Sequence, residues 1–451
     1  MRHGSTFVSE PADTPANQFY DDIVLSIPEY RSSMASSMPA GVVLISNEAA
    51  ARDSWFDDAW DGRDITIYLG DPSWPKSDFR ISLTGIIDDI DAPRISEIQF
   101  HIRDKKKLLD APTQTTLLTT GPRKGQPSPL CYGTVFNICL IQIDPVAHIY
   151  KVHDGPISAV NAVRDDGAAL GAPGGYTADL PNGTITLSSS PVGRLTADVD
   201  GANPGGSFLV NAAEIIEDLV TREVLTSGDL DSASFSDFET TAPQTLGLFI
   251  EDQQTLVRTV DSILESVGGW WSFNRDGKII LGQLDEASGV EDLTLDADDI
   301  LQSGLTMTDR QNVVKTVRVG YARNWAVQTD NLAHSISETL KGILGQEYSV
   351  VSSTDGSVST AHPAATEPDM KGTFIVSESD AQDESDRLLA LHDTPRHTYS
   401  INAMLGPSQV EIGDIIELTH PRFGFDSGVD AVVVSISEQS TLNQITLGLW
   451  V

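Results

Sequence analysis

The sequence predicts a mainly β fold with some α+β character, divided into several small domains of barrel or sandwich type. Three observations carry that expectation. Short runs of alternating apolar and polar residues recur along most of the chain, as half-buried strands require. Asp-Gly, Asn-Gly and Gly-Gly pairs separate them at short intervals, a spacing that suits small barrels and sandwiches. Helical periodicity is strongest in one stretch, a two-helix insert near residues 211–267. A chain of 451 residues that is 40% hydrophobic has room for roughly two to four domains with cores of their own.

Residues 1–18, with Pro11 and Pro15, read as a flexible N-terminal arm. Residues 19–110 read as an antiparallel β-barrel domain with strands near 23–27, 41–46, 65–69, 79–83 and 98–102. Gly70-Asp71-Pro72 ends the third strand, and a distant segment could complete the barrel. The basic run Arg103-Asp104-Lys105-Lys106-Lys107 reads as a solvated strand exit. A Thr-rich linker at 111–125 opens a small all-β domain, 111–205, with strands near 157–160, 184–187 and 195–199.

Residues 206–305 form an α+β domain. Asn211 and Glu214 have the spacing of a capping box, and Ile215, Leu219 and Val220 fall on one helical face. A loop bearing Phe235 and Phe238 leads to a second helix, with Leu256, Val260, Ile263 and Leu264 on its apolar face. A hairpin follows, whose aromatic strand carries Trp270, Trp271 and Phe273 and turns at Asp276-Gly277. Asp-Gly predicts a type I′ turn, with both central residues at positive φ. Residues 306–451 read as a C-terminal β-rich domain with strands near 313–321, 410–418, 432–434 and 445–449. Within it, 351–372 reads as an exposed loop, and Ser379 with Gln382 as the cap of a helix reaching Leu391.

Charge narrows the function classes. A formal net charge of −36 repels nucleic acid and anionic membrane surfaces. No run approaches the length of a membrane-spanning helix, so no membrane insertion is expected. Polar residues and prolines follow Met1 in place of an apolar segment, so a protein made in a cytoplasm, without an address for leaving it by the usual secretory route, is expected.

The chain carries no recognisable reactive constellation. It has no Gly-x-Ser-x-Gly elbow, no phosphate loop and no cluster of metal ligands. Asp88-Asp89-Ile90-Asp91 and Asp296-Ala297-Asp298-Asp299 lack the central Gly and terminal Glu of a calcium loop and read as solvated acidic turns. Cys131 and Cys139 read as small buried apolar residues on or beside strands, and His148 and His153 as structural or exposed. No catalytic, cofactor-binding or metal-binding residue is assigned, and no enzymatic activity is expected. Adjacent strand residues face opposite ways, which sends one of Trp270 and Trp271 into a core and the other to a surface or interface. The competing reading is a surface or secreted carbohydrate-binding or glycan-cleaving protein, with one of these tryptophans as platform and an acidic pair as catalyst.

Several stretches, in order, resemble the baseplate hub proteins of long-tailed bacteriophages. They are Pro129-Leu130-Cys131-Tyr132-Gly133-Thr134-Val135-Phe136-Asn137, Tyr150 to Gly155, Thr196 to Gly201, Gly268 to Lys278, and Glu411-Ile412-Gly413-Asp414 followed by Leu418 to Gly424. The resemblance spans most of residues 40–451. It implies tube-like β-barrels at 19–110 and 206–305, and a trimeric ring in which these barrels give six quasi-equivalent modules that adapt a hexameric tube to a threefold tip. It implies as partners further copies of the chain, a distal tail ring protein, a tail tip or fibre protein and the tape measure protein, with genomic DNA passing through. The chain would sit at the virion tail tip after assembly in the host cytoplasm, serving host attachment and genome ejection. Ending near the strand of Leu447 and Trp450, it is expected to carry neither a fused hydrolase nor a receptor-binding extension. The residues expected to act structurally or at interfaces are Trp270, Trp271, Phe273, Asp276, Gly277, Tyr132, Gly133, Gly413 and Asp414. Another component of the tail tip, without the threefold symmetry, is the related alternative.

Overall fold

The computed structural model describes residues 6–34, 41–71, 73–172, 174–288, 291–404 and 409–451. Residues 1–5 of the expected arm and Pro72 of the expected turn lie outside the described residues. The fold is mainly β and multidomain, built from curled sheets whose strands pair mostly antiparallel. Its strands assemble around three principal hydrophobic cores.

One core lies between two sheets that are remote in sequence. The first, of five strands, runs in the order Val24–Ser26, Gly41–Ser46, Glu97–Arg103, Arg80–Arg94 and Asp64–Leu69. The second is built from Leu293–Leu295, Ile415–Leu418, Val429–Gln439, Gln444–Trp450, His397–Met404 and Ile300–Arg310. Tyr30–Ser33 pairs antiparallel with Val429–Gln439, so the two sheets are stitched by backbone bonds. Ile98, Ile102, Ile401, Leu418 and Leu447 are fully buried together in this core.

A second core fills the region that the sequence assigns to a small all-β domain. A five-stranded sheet is centred on Leu130–Cys139 and Leu195–Ala202, and a four-stranded sheet carries Ile149–Lys151 and Thr184–Leu187. Val152, Ile185 and Val199 meet between them. Gly247–Ile250, from the following block, extends the five-stranded sheet by pairing with Leu130–Cys139.

The third core is α+β. Helices Ala212–Glu223, Leu256–Ser266 and Glu378–His392 cover the hairpin Gly269–Phe273/Ile279–Gln283 and a three-stranded sheet centred on Thr316–Tyr321. The capping box is present: Glu214 N–H donates to Asn211 Oδ1 at 2.9 Å, while Glu214 Oε2 accepts from Asn211 N–H at 3.3 Å. The final sequence block is thus shared, since Val317, Val319 and Ile375 enter this core and Tyr399 to Leu449 enter the first.

Several local expectations are corrected. The described part of the arm is folded: Phe7–Val8 pairs with Phe19–Tyr20, and Ser9 is buried. The linker is pinned, with Thr113 and Gln114 buried and Thr113 N–H donating to Gln254 O at 2.8 Å. The loop bearing Phe235 and Phe238 is a helix, Ser232–Thr241, so the insert has three helices. Its Ser- and Thr-rich composition has weak helix propensity; burial of both phenylalanines and the Asp231 N-cap stabilise it. The exposed loop 351–372 contains the end of strand Ser349–Thr354 and helix Gly356–Ala361. The last helix is capped by Ser377 rather than Ser379, its hydroxyl accepting from Asp380 N–H at 3.0 Å.

Candidate functional site: a hairpin wedged between two cores

The tryptophan hairpin lies where the α+β core meets the two-sheet core. Strand alternation divides its rings between them. Trp271 is buried in the α+β core with Phe273, and its Nε1–H donates to Asp261 Oδ1 at 2.6 Å. Lys106 Nζ lies 4.4 Å from the Trp271 ring centroid. Trp270, on the opposite face, is half-buried against the two-sheet core. It faces Gly282 across the hairpin, where a Cβ would overlap the indole. On its other flank is Gly413, at φ +96, whose added Cβ would sit 3.0 Å from the same ring. Both glycines leave room for one aromatic plane. Trp271 therefore offers no platform to a sugar, and Trp270 is held against glycine backbone along its edge.

The turn differs from the expected type I′. Gly277 N–H donates to Asn274 O at 3.0 Å and Asn274 N–H to Lys278 O at 2.9 Å. Gly277 alone among the turn residues has positive φ, at 72°. This is the longer hairpin loop in which one left-handed glycine closes the turn, and Asp276 stays exposed on it. The consequence is chemical. Arg275 takes the place at the tip that would otherwise have been strand, and it is only 7% exposed.

Arg275 is the residue that the sequence reading missed. Its Nη1 donates to Glu438 Oε2 at 2.8 Å, and its Nε lies 3.2 Å from Glu411 Oε1. Its guanidinium carbon is 4.3 Å from the Tyr30 ring centroid. Glu438 is completely buried, and also accepts from Arg80 Nη2 at 2.8 Å and from the Ser440 hydroxyl at 2.7 Å. Two arginines and two glutamates from four distant segments thus form one cluster around the buried Arg275 and Glu438. Burial pushes Glu438 up, but its bonds to Arg80 and the Arg275 charge leave it below its ordinary value. Glu411 has only the one ion pair and an unbonded buried Oε2; burial raises it to about 7, with Asp414 and Asp276 adding to the rise. No spacing signal marks this cluster, because its members come from two strands and two turns that only the tertiary fold brings together.

Gly413 and Asp414 form the turn that supports Trp270. Asp414 Oδ2 accepts from Glu411 N–H at 2.8 Å, and Gly413 N–H donates to Val433 O at 2.9 Å. Burial raises the Asp414 carboxyl. The basic run is solvated only in part: Arg103 and Lys107 are exposed, with Arg103 paired to Asp88 at 2.6 Å, while Lys105 is drawn in and its Nζ donates to Asp229 Oδ1 at 2.9 Å.

Tyr132 and Gly133 lie apart from this joint, in the strand Leu130–Cys139. Tyr132 is fully buried and its hydroxyl donates to Asp218 Oδ2 at 2.6 Å. Its neighbour Cys131 donates its N–H to His153 Nδ1 at 3.0 Å. Burial, aided by Arg222, lowers His153 to about 3, so the ring is a neutral acceptor. Gly133 has φ +59, and a Cβ there would overlap the carbonyl oxygen of Leu246, the residue before the adjoining strand Gly247–Ile250. Among the described residues no group of three or more His, Cys, Asp or Glu side chains could hold a metal ion. No described helix is long and apolar enough to cross a membrane.

No family model matches the chain, and no curated protein matches it. Among solved structures it is similar to the 43 kDa tail protein of prophage MuSo2 from Shewanella oneidensis, at 10% identity over 96% of both chains with a TM-score of 0.42. It is similar to a tail protein from Neisseria meningitidis MC58, at 11% identity over 96% of this chain and 94% of that one, with a TM-score of 0.43. A chain of the virion of a native gene transfer agent particle gives 13% identity over 76% and 91% of the two chains, with a TM-score of 0.45.

Proposed function

We propose that this chain is a structural protein of a long-tailed phage virion, the baseplate hub at the distal end of a siphophage tail. One observation carries the reading. The residues through which the sequence resembles hub proteins serve as joints between elements and do not converge on a reaction centre. Gly133 lets two strands meet, Asn137 ties its sheet to the irregular segment at Asn324 and Ala326, and Trp270 and Gly413 lock a hairpin against a turn. An architecture spent on holding sheets in fixed relation suits a part of a large assembly. In this reading the chain closes into a trimeric ring that adapts a hexameric tube to a threefold tip. Its neighbours are a distal tail ring protein, a tip or fibre protein and the tape measure protein, and it has no enzymatic role.

The charge of −36 supports a conduit role, because a polyanion passes an acidic wall without being held. Free strand edges such as Asp64–Leu69 and Ser349–Thr354 support subunit contacts that cover them. Mass photometry at low and high salt tests the assembly. Screening weakens repulsion between like-charged subunits, so a trimer whose population grows with salt is expected. A particle structure that put this chain away from the tail axis would overturn the proposal.

A further inference from the structure

We propose that the N-terminal hairpin and the loop that grips it form a docking surface for a second protein whose contact face is apolar at its centre and basic at its rim. The hairpin pairs Phe7 with Tyr20 and Val8 with Phe19. Alternation turns the first pair inward: the Phe7 ring lies 5.0 Å from Phe79, and Lys76 Nζ lies 5.8 Å from the Tyr20 ring and 5.3 Å from that of Tyr68. The loop holds the hairpin through Lys76, whose Nζ donates to Thr14 O at 2.8 Å. The outward pair is bare, with Val8 55% and Phe19 56% exposed. Trp74, in the same gripping loop, is 50% exposed, and Tyr68 44%.

A two-stranded hairpin is marginal without a covered face, and this one has its inner face covered only in part, Phe7 being half-buried and Tyr20 36% exposed. Exposed large apolar residues elsewhere, such as Ile95, Val146 and Val192, are single side chains at turns, which need no explanation. Here the exposed Phe19 and Trp74 belong to a hairpin and loop in which Tyr20 and Tyr68 flank one lysine, and aromatics of this kind anchor protein interfaces.

The rim decides the occupant. Glu10, Asp21, Asp22, Asp71 and Asp78 are all exposed on the same hairpin and loop. Asp21 has Arg52 as ion partner at 2.9 Å, and Lys76 is engaged within the hairpin. A second copy presenting this face would set carboxylates against carboxylates, whereas lysines and arginines around an apolar centre would complement it. The inference stands on this geometry and does not depend on the tail reading.

The test uses the full chain and a fluorescent peptide of roughly 18 residues, built from leucine and lysine to be amphipathic as a helix. A peptide of the same pattern with glutamate for lysine is the control. The lysine peptide is expected to bind with salt-sensitive affinity, and the double variant Phe19→Ser, Trp74→Ser to bind it about tenfold more weakly or worse. Both positions are exposed, so the variant should melt like the parent; if it does not, Trp74→Ser alone is compared. Equal affinity of parent and folded variant overturns the proposal, because the peptide is then read by net charge alone. Binding of the glutamate peptide overturns it as well. So does self-association of the parent that the variant abolishes, which would make a second copy the occupant.

Discussion

Asn137 and Asn324 are joined side chain to side chain, Nδ2 of the first donating to Oδ1 of the second at 2.8 Å, across 187 positions of sequence. The same Nδ2 also donates to Ala326 O at 2.8 Å, and Asn324 Nδ2 donates to the carbonyls of Leu344 and Gln346. One amide pair thereby ties the all-β sheet to the segment 322–346. Asn137 has φ +56, a conformation that asparagine tolerates better than most residues. Asn137→Gly keeps the backbone and removes only the bonds. It should lose about 1–3 kcal/mol of stability, read by denaturant unfolding; an unchanged midpoint would show that the pair is not a tie.

The charged cluster around Glu438 predicts a larger effect. Glu438→Gln leaves Arg80 and Arg275 without their shared carboxylate. Breaking one side of a buried ion pair costs about 3–5 kcal/mol, so this variant should melt well below the parent or fail to fold. Arg80→Gln, on a partly exposed partner, should cost clearly less. Equal losses would mean that the cluster is not organised around Glu438.

Glu411 makes part of the stability depend on pH. Its folded value of about 7 lies above its ordinary 4.5. The folded state therefore binds the proton more tightly, and this contribution is complete below pH 4.5 and lost as pH rises through 7. Glu411→Gln should compare better with the parent at pH 8 than at pH 5. Thermal melts of both proteins at the two values check this, and an identical difference at each would refute it.

His153 has the opposite sign. Its folded value, about 3, lies below its ordinary 6.5, so the unfolded chain binds the proton first. Stability falls as pH drops below 6.5 and continues to fall towards 3. A variant that keeps an acceptor without titrating, His153→Gln, should lose less stability than the parent between pH 7 and pH 5. A steeper acid loss in the variant would contradict the assignment of His153 as a neutral acceptor.

Packing at the two glycine and tryptophan joints can be separated by size. Gly133→Ala combines a positive φ with overlap at Leu246 O, and should cost about 3 kcal/mol, the upper end of overpacking penalties. Trp271→Ala removes a buried ring and should cost about 3–5 kcal/mol. Neither change should affect binding of a glycan, as isothermal titration with oligosaccharides would show; saturable binding abolished by Trp271→Ala would favour the carbohydrate reading.

The sequence by itself determined the class of local structure. Alternation marked strands such as Gly41–Ser46 and Glu97–Arg103, and the Asn211–Glu214 spacing marked a helix start, because both signals are carried by neighbours in the chain. It also marked Trp270, Trp271 and Gly133 as structural positions. Tertiary structure decided what those elements join. Pairing of Tyr30–Ser33 with Val429–Gln439 makes one core from the two ends of the chain, and no local pattern encodes a partner 400 residues away. Helix Ser232–Thr241 was hidden because burial of Phe235 and Phe238 overrides its weak propensity. Arg275 read as one residue of a turn; only its insertion between Glu411 and Glu438 made it the charged centre of the joint.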